Sequence, residues 1–286
     1  MKMAVIGCGL IGGSMALSWK RAGIVDEVIA FGHNPATLQK ALDKGAADAV
    51  TTSMEEAVKD ADIVVSAVPV EAMESVFTEM APFLKPDAVV TDVGSTRQTV
   101  IAAARKGLGD KFHQYAPAHP IAGGEMPGVD YASADLFDEK VVISTPDEGM
   151  DPKVVTFIEE AWRKAGARVQ AMSPLQHDLT FASVSHLPHV LAYALVDMIA
   201  REENAQEKLK MAGAGFRDFT RIASSSPVMW RDICLSNREA LSHELERYRA
   251  SLDTLQKYID ESDGKALESV FENAVRNRRG LVFPGK

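Results

Sequence analysis

The sequence predicts an α/β chain in which a doubly wound parallel sheet at the N-terminus is followed by an all-helical C-terminal domain. Two observations lead to this prediction. Short β-branched runs alternate with helical stretches in the first half, and strand patterns disappear after Pro174. Strands that alternate with helices form βαβ units with parallel strands. We therefore expect one domain over residues 1–170 and a helical domain over residues 171–286.

Apolar periodicity places the individual elements. In the first domain it predicts strands at 2–6, 28–31, 61–68 and 88–93, later strands at 141–144 and 167–171 that close the same domain, and helices at 14–22 and 35–44. In the second domain, helical periodicity covers 175–203, 205–214 and 237–261. An apolar face of Leu187, Leu191, Leu195 and Ile199 predicts a homodimer through this domain, because a small helical unit rarely buries such a face alone.

The composition narrows the class of protein. Hydrophobic residues make up 46% and charged residues 25%, as in ordinary globular proteins. The net charge of -9 argues against a general nucleic-acid binder. Two cysteines, Cys8 and Cys234, make neither a disulfide framework nor a zinc cluster, which favours a reducing, cytoplasmic compartment. We expect no membrane span, because no apolar stretch reaches the required length, and no metal site.

A glycine-rich loop follows the first predicted strand and opens the first helix. It matches G-x-G-x-x-G and reads Gly7-Cys8-Gly9-Leu10-Ile11-Gly12. The first glycine permits a tight turn, the second lets a pyrophosphate approach the backbone, and the third lets helix and strand pack closely. Because the pattern lies between a strand and a helix, it predicts a Rossmann-type dinucleotide site at the helix N-terminus.

The residue at the end of the second predicted strand usually indicates whether a protein binds NAD or NADP. A carboxylate there binds the ribose 2′-hydroxyl of NAD, but this sequence has Gly32, followed by His33 and Asn34. Glycine leaves space for a 2′-phosphate, which His33 and Asn34 could contact and Lys40 could pair with. We therefore expect NADP to be favoured, with NAD as the alternative.

Polar residues also gather after other predicted strands. Asp92 and Ser95 follow the strand at 88–93, and His119 and Glu125 lie in a second such segment. Val68 and Pro69 stand at the end of the strand at 61–68. Ligands of open α/β sheets bind at the carboxyl ends of strands, so we expect Val68, Pro69, Asp92 and Ser95 to contact the cofactor.

Further polar segments follow in the helical half. They are His177-Asp178, Ser185-His186-Leu187-Pro188-His189, Phe216-Arg217-Asp218-Phe219-Thr220-Arg221-Ile222-Ala223 and Pro227-Val228-Met229-Trp230-Arg231-Asp232. With His119-Pro120-Ile121-Ala122-Gly123-Gly124-Glu125, these segments resemble the prephenate/arogenate dehydrogenase family, in the expected order from the glycine loop to about residue 232. The resemblance implies oxidative decarboxylation of a cyclohexadienyl acid, with hydride transfer to NAD(P), in tyrosine biosynthesis.

The resemblance also implies roles for single residues. His119 matches the family's catalytic histidine, a base that draws the hydroxyl proton while hydride leaves, and neutral imidazole suits that role near pH 7. Ser95 matches a serine that holds the same hydroxyl and the nicotinamide end. Glu125 resembles a residue that joins an ionic network with the substrate-binding arginine and could gate the site.

Arg221 matches that arginine, because guanidinium groups bind carboxylates in a bidentate manner. Arg217 lies one helical turn earlier and is the competing candidate, and Asp218 is placed to pair locally with Arg221. His189 is assigned to substrate binding by the resemblance, and His186 and His177 less firmly. For His177, a packing or capping role in the helix is an equal alternative.

Two other readings remain open at the sequence level. The first is another dehydrogenase with a Rossmann and a helical domain, such as a β-hydroxyacid dehydrogenase. Such enzymes resemble one another in using a lysine at the start of the helical domain, and residues 177–189 contain no lysine. The second is a non-catalytic dinucleotide sensor, which would keep the glycines but would not require His119, Ser95 and Arg221 together.

Overall fold

The structure, a computed structural model, describes residues 1–124 and 126–281. Parallel strands form the main sheet: β1 (Lys2–Ile6), β2 (Glu27–Phe31), β3 (Ala49–Thr51), β4 (Ile63–Ser66), β5 (Val89–Asp92) and β6 (Tyr115–Ala116). Their order is β3-β2-β1-β4-β5-β6. The chain thus runs outward from β1 and restarts on its other side at β4, which is the doubly wound order of a Rossmann-type domain. The predicted α/β class is confirmed.

Helices cover the two faces of this sheet. They are α1 (Leu10–Arg21), α2 (Pro35–Asp43), α3 (Met54–Val58), α4 (Met73–Met80), α5 (Gln98–Leu108) and α6 (Pro152–Lys164). Helix α1 begins four residues before the predicted start at 14, directly from the glycine loop. Glycine has a low helix propensity, so the sequence pattern predicted a helix that begins only after Gly12 and Gly13. Close packing of Gly13 against Val129 and Ala132 favours glycine there despite that propensity.

A second, three-stranded sheet lies beside the first and contains the later strands that were predicted at 141–144 and 167–171. It consists of β7 (Ala118–Pro120), β8 (Val141–Ser144) and β9 (Arg168–Ala171), in that order. Strand β7 pairs antiparallel with β8, and β8 pairs parallel with β9. Pro117 separates β6 from β7, and proline cannot donate a ladder hydrogen bond. The chain therefore leaves the main sheet there and carries His119 with it.

After Ala171 the described chain is helical, as predicted. The helices are α7 (Pro174–Phe181), α8 (Leu187–Ala200), α9 (Ala205–Lys210), α10 (Ala214–Thr220), α11 (Pro227–Ser236), α12 (Arg238–Asp260) and α13 (Gly264–Gly280). A π-turn, Ala182–His186, joins α7 to α8. It accommodates Pro188, which lacks the N–H of a regular α-helical turn. Residues predicted as one helix over 175–203 therefore form two helices with a wider turn between them.

The continuous helical stretch Pro174–Ala200 is 27 residues long, and by length and composition it could cross a membrane. By this measure the prediction that no apolar stretch reaches that length was wrong. One such helix is weak evidence for a span, since helices that pack against protein pass the same test. Here the stretch contacts α10, α12 and the described 3₁₀ turn Arg221–Ser224.

The buried core lies almost wholly in the first domain. Trp19 and Trp162 are fully buried at its centre and meet edge to face, with ring centroids 5.6 Å apart. In contrast, α12 has one buried residue, Leu241, and the described residues of α13 have none. Leu187 packs inside the protomer, whereas Leu191, Leu195 and Ile199 are only half-buried. Most of the exposed large apolar side chains thus lie in the helical domain.

Candidate active site

A cleft of about 440 Å³ lies at the carboxyl ends of the parallel strands, between the main sheet and the helical domain. Its walls are the glycine loop, the segments after β4 and β5, the strand β7 with the loop that follows it, the π-turn and the helix α11. Of the predicted cofactor contacts, those lining the cleft are Gly9, Leu10, Ile11, Val68, Pro69 and Ser95. Carboxyl ends of parallel strands are the expected location of a ligand site.

The three fingerprint glycines fit a dinucleotide. Gly7 has φ +92°, and a Cβ on it would lie 2.7 Å from the carbonyl oxygen of Ala67. A Cβ on Gly12 would lie 2.5 Å from the carbonyl oxygen of Gly7. Gly9 has no atom within 4 Å of such a position, so its face is open toward the cleft. The first and third glycines thus allow tight packing, and the second leaves room for a pyrophosphate at the start of α1.

The residues after β2 lie apart from the cleft lining. Gly32 has only Leu38 near its Cβ position. The ring of His33 meets that of Phe31 edge to face, and the Asn34 side chain caps α2 by accepting a hydrogen bond from the Ala36 N–H. Lys40, predicted as a phosphate partner, pairs with Asp130 at 2.6 Å instead. A bound 2′-phosphate would have to compete with that carboxylate.

Asp92 occupies a structural position. Its fully buried carboxylate pairs with the fully buried guanidinium of Arg97 at 2.6 Å and accepts a hydrogen bond from the Tyr115 hydroxyl. Arg97 also donates to the carbonyl oxygen of Ala118, the residue before His119. These contacts leave the Asp92 carboxylate beneath the cleft rather than in it. Asp92 was expected to contact the cofactor, whereas here its carboxylate pairs with Arg97, because a buried cation is normally matched by a buried anion.

Three side chains form a hydrogen-bonded series that ends at His119. The Nδ1 atom of His119 lies 2.8 Å from Nε2 of His177, and Nδ1 of His177 lies 2.9 Å from Oδ1 of Asp178. The Asp178 carboxylate also accepts hydrogen bonds from the backbone N–H groups of Arg97 and Gln98, at 2.7 and 2.9 Å. A residue of the helical domain therefore caps α5 and orients the histidine of β7.

The carboxylate fixes the proton positions along this series. An ionised carboxylate only accepts hydrogen bonds, so His177 must carry its proton on Nδ1. Nε2 of His177 is then an acceptor, and His119 must carry its own proton on Nδ1. The remaining nitrogen of His119, Nε2, holds a lone pair, and His119 lines the cleft. This arrangement matches the requirement for a general base.

Burial keeps these imidazoles neutral. Desolvation by burial, together with the nearby positive charge of Arg97, holds the pKa of His119 well below its ordinary value. Desolvation also lowers the pKa of His177, although the hydrogen bond to Asp178 opposes that shift. Burial raises the pKa of Asp178, but the hydrogen bonds from His177 and the α5 backbone outweigh it, so the pKa is lowered overall. Asp178 is therefore ionised and His119 unprotonated near pH 7.

The π-turn brings two further histidines near the cleft. His186 is buried and lines it, whereas His189 lies behind Trp230, with stacked rings whose centroids are 3.5 Å apart. Nδ1 of His189 bonds to the carbonyl oxygen of Ser185, at 2.9 Å. Burial lowers the pKa of His186 to about 4 and also lowers that of His189. Trp230 is largely buried and forms part of the cleft wall.

The predicted arginines occupy different positions. Arg221 begins the 3₁₀ turn after α10, and its positive charge acts on the ring of His189, lowering the pKa of that histidine. Arg217 and Asp218 are largely exposed and face each other, 3.6 Å apart. Glu125, the predicted gating residue, lies outside the described residues.

Sequence reasoning missed several contributors to the site. The role of Asp178 follows only from its distance to His177 and to the start of α5, and Asn237, which contacts His186, has no local motif. Arg97 is fully buried although its type is usually exposed. In residues 1–124 and 126–281, no group of three His, Cys, Asp or Glu side chains could hold a metal ion.

Comparisons with known proteins agree with this architecture. Residues 15–171 match the nucleotide-binding domain of prephenate dehydrogenase, and residues 173–273 match its dimerization domain. A cyclohexadienyl dehydrogenase of Zymomonas mobilis is 36% identical over 98% of this chain and 95% of its own. A prephenate dehydrogenase of Bacillus subtilis is 35% identical over 98% of this chain and 76% of its own.

A solved structure shares the whole fold. The prephenate dehydrogenase of Aquifex aeolicus, in complex with hydroxyphenyl propionate and NAD+, has a TM-score of 0.90 at 35% identity and covers 98% of both chains. The glycine cradle, the strand order and the cleft together define a dinucleotide-dependent oxidoreductase with a helical second domain. The chain belongs to the prephenate dehydrogenase family.

The buried neutral histidines predict a loss of stability in mild acid. In the unfolded chain these rings bind protons below about pH 6.5, whereas in the folded chain their pKa values are lower. The unfolded state therefore gains protons first, and the free energy of unfolding should fall as pH drops below 6.5, by up to about 1.4 kcal/mol per unit for each histidine. Urea titrations at pH 7.0 and 5.5 measure this difference.

Matched variants test whether the buried histidines cause this pH dependence of the free energy of unfolding. His186→Gln should reduce the pH dependence, because one group with a lowered pKa is removed. His243→Gln, at an exposed histidine, should leave it unchanged. Equal stability of the unaltered protein at pH 7.0 and 5.5, at one protein concentration, would contradict the assignment of neutral buried rings.

Proposed function

We propose that this protein catalyses the oxidative decarboxylation of prephenate or arogenate, giving 4-hydroxyphenylpyruvate or tyrosine, as a cytoplasmic enzyme of tyrosine biosynthesis. The observation that carries the proposal is the series from Asp178 through His177 to His119, which leaves an unprotonated Nε2 in a dinucleotide cleft. Family membership supports the substrate class. The two free cysteines support a reducing compartment.

His119 and Ser95 have separate roles in the proposed reaction. The Nε2 atom of His119 takes the hydroxyl proton as hydride leaves the ring carbon that bears the hydroxyl. Bound NAD(P) would accept that hydride. The bond between the ring and its carboxylate then breaks and CO₂ leaves. The electron pair of the broken bond stays with the ring and makes it aromatic, which leaves a phenolate oxygen. Protonated His119 returns its proton to the phenolate oxygen. Ser95, also in the cleft wall, is positioned to hold the reacting hydroxyl.

Absorbance of reduced nicotinamide tests the proposal directly. Prephenate and arogenate are each offered with NAD and with NADP, and at least one pair should give turnover with release of CO₂. Absence of turnover with all four pairs, in protein that binds a nicotinamide dinucleotide, would favour a non-catalytic sensor.

His119→Asn should lower kcat by about 10²–10⁴, the usual range for loss of a general base, with little change in cofactor affinity. Asparagine keeps a donor toward His177 but has no basic nitrogen. The pH profile of the unaltered enzyme should show one group that must be deprotonated, with an apparent pKa below neutrality, because the pKa of His119 is lowered. Turnover of the variant at the original rate would make His119 structural.

Arg221→Ala should raise the KM for substrate far more than the KM for cofactor. Loss of a charge-assisted carboxylate contact costs about 2–4 kcal/mol, and the position of Arg221 beside His189 supports the assignment. Arg217→Ala is the matched control, since that side chain is exposed beside Asp218. A larger effect at Arg217 would reverse the assignment.

We propose that NADP is used at least as well as NAD. The support is Gly32, which offers no carboxylate to repel a 2′-phosphate, while the Lys40–Asp130 pair limits any gain from Lys40. Gly32→Asp should shift the ratio of kcat/KM toward NAD. Its Cβ would lie 3.3 Å from the flexible end of Leu38, so the fold should tolerate it. A tenfold preference of the unaltered enzyme for NAD, about 1.4 kcal/mol, would refute the proposal.

We also propose a homodimer formed by the helical domain. Leu267, Phe271 and Val275 share one face of α13, and Phe271 is 55% exposed in the protomer. Light scattering at micromolar concentration should give twice the 31.0 kDa of one chain. Phe271→Asp should favour the monomer, whereas Asn273→Asp on the same helix should not. A monomeric mass for the unaltered protein would count against the proposal.

A further inference from the structure

Asn237 joins the histidine series to the wall of the cleft. It is buried at the junction of α11 and α12. Its Nδ2 atom lies 2.8 Å from the backbone carbonyl oxygen of Asp178 and 3.1 Å from Nδ1 of His186. A single side-chain amide thus contacts both the residue that orients His119 and a second histidine that lines the cleft.

The backbone carbonyl determines which way this amide faces. A carbonyl oxygen only accepts hydrogen bonds, so the Asn237 atom beside it must be the NH₂ group. That same group is the neighbour of Nδ1 of His186. Because an NH₂ group donates, Nδ1 of His186 must be the acceptor, and the ring proton must therefore lie on Nε2. The two hydrogens of the amide satisfy the two acceptors.

Asp178 therefore determines the tautomers of two histidines, and the two tautomers are opposite. The Asp178 carboxylate places the His119 proton on Nδ1 and leaves Nε2 as an acceptor. The Asp178 carbonyl, through Asn237, places the His186 proton on Nε2 and makes that nitrogen a donor. The cleft wall thus presents one neutral imidazole that takes a proton and one that offers a hydrogen bond.

We propose that Asn237 is a positioning residue that holds His186 as a neutral donor for an acceptor oxygen of the substrate, either a carboxylate or a carbonyl. This assignment rests on the proposed function. The low pKa of His186, about 4 because of its burial, supports it, since the ring stays uncharged in the range where the enzyme would work. Ser185 and Trp230 flank His186 in the cleft wall.

Nitrogen NMR of ¹⁵N-histidine-labelled protein at pH 7 reads the tautomer without any turnover, and His186→Gln identifies the His186 signals by their loss. The expected result is a protonated Nε2 and an unprotonated Nδ1. In Asn237→Asp, a carboxylate would accept from Nδ1–H instead, so the proton should move to Nδ1. In Asn237→Ala, no donor restrains the ring, and the fraction with protonated Nδ1 should rise. Protonated Nδ1 in the unaltered protein would overturn the proposal.

Calorimetry in the presence of NAD measures how this tautomer affects ligand affinity. The ligand is 4-hydroxyphenylpropionate, an aryl carboxylate that does not react. Asn237→Asp should weaken binding at least tenfold, because the donor becomes an acceptor. Asn273→Asp, at an exposed site, should bind as the unaltered protein does. Should Asn237→Asp fail to fold, Asn237→Ala takes its place, with a smaller expected loss.

A second comparison separates positioning from general damage. In a His186→Gln background the Asn237 substitution should change affinity by less than threefold, since it acts through that ring. Unchanged affinity in Asn237→Asp with a shifted tautomer would overturn the recognition role. If the chain instead turned over no cyclohexadienyl acid, the proposed function would fail while the NMR result still decided the tautomer.

Discussion

The site depends on the Asp178 carboxylate. This group is buried, yet it is ionised because two backbone N–H groups at the start of α5 and the Nδ1–H of His177 all donate to it. A carboxylate at a helix N-terminus also interacts favourably with the helix dipole. The helical domain is therefore joined to the Rossmann-type domain through the same charge that sets the protonation of His119. Loss of this contact would therefore also change the orientation of His119.

A buried ion pair between Arg97 and Asp92 supports the position of the Asp178 carboxylate. Arg97 supplies one of the N–H groups that hold Asp178, and its side chain contacts both Asp92 and the carbonyl oxygen beside His119. Breaking a buried pair leaves an uncompensated charge, which is strongly destabilising. The strand end β5, the start of α5 and the strand β7 are thus kept in fixed relation, and this relation determines where the histidine series can run.

Local pattern predicted much of the fold and part of the site. The glycine loop, the alternation of strands and helices, and the motifs around His119 and His186 depend on residues close in sequence. The second sheet was missed because its separation depends on Pro117 and on pairing between β7 and β8. The sequence marked Asp178 only as part of a polar segment and did not mark Asn237, because their roles depend on contacts with residues about 50 to 80 positions away, which no periodicity encodes. The pairing of Lys40 with Asp130 could not be predicted either, because the two residues are 90 positions apart in the sequence.

Through His177, Asp178 determines the orientation and the protonation of His119, the proposed base. Single-turnover hydride transfer by Asp178→Asn, followed with cofactor bound in advance and with substrate deuterated at the carbinol carbon, tests this role most directly. Asparagine preserves the shape but can no longer accept from every donor around it. Hydride transfer should slow by about 10²–10⁴, the usual contribution of a positioned base, with an expressed isotope effect and unchanged cofactor affinity. Hydride transfer within twofold of the original rate would contradict this role.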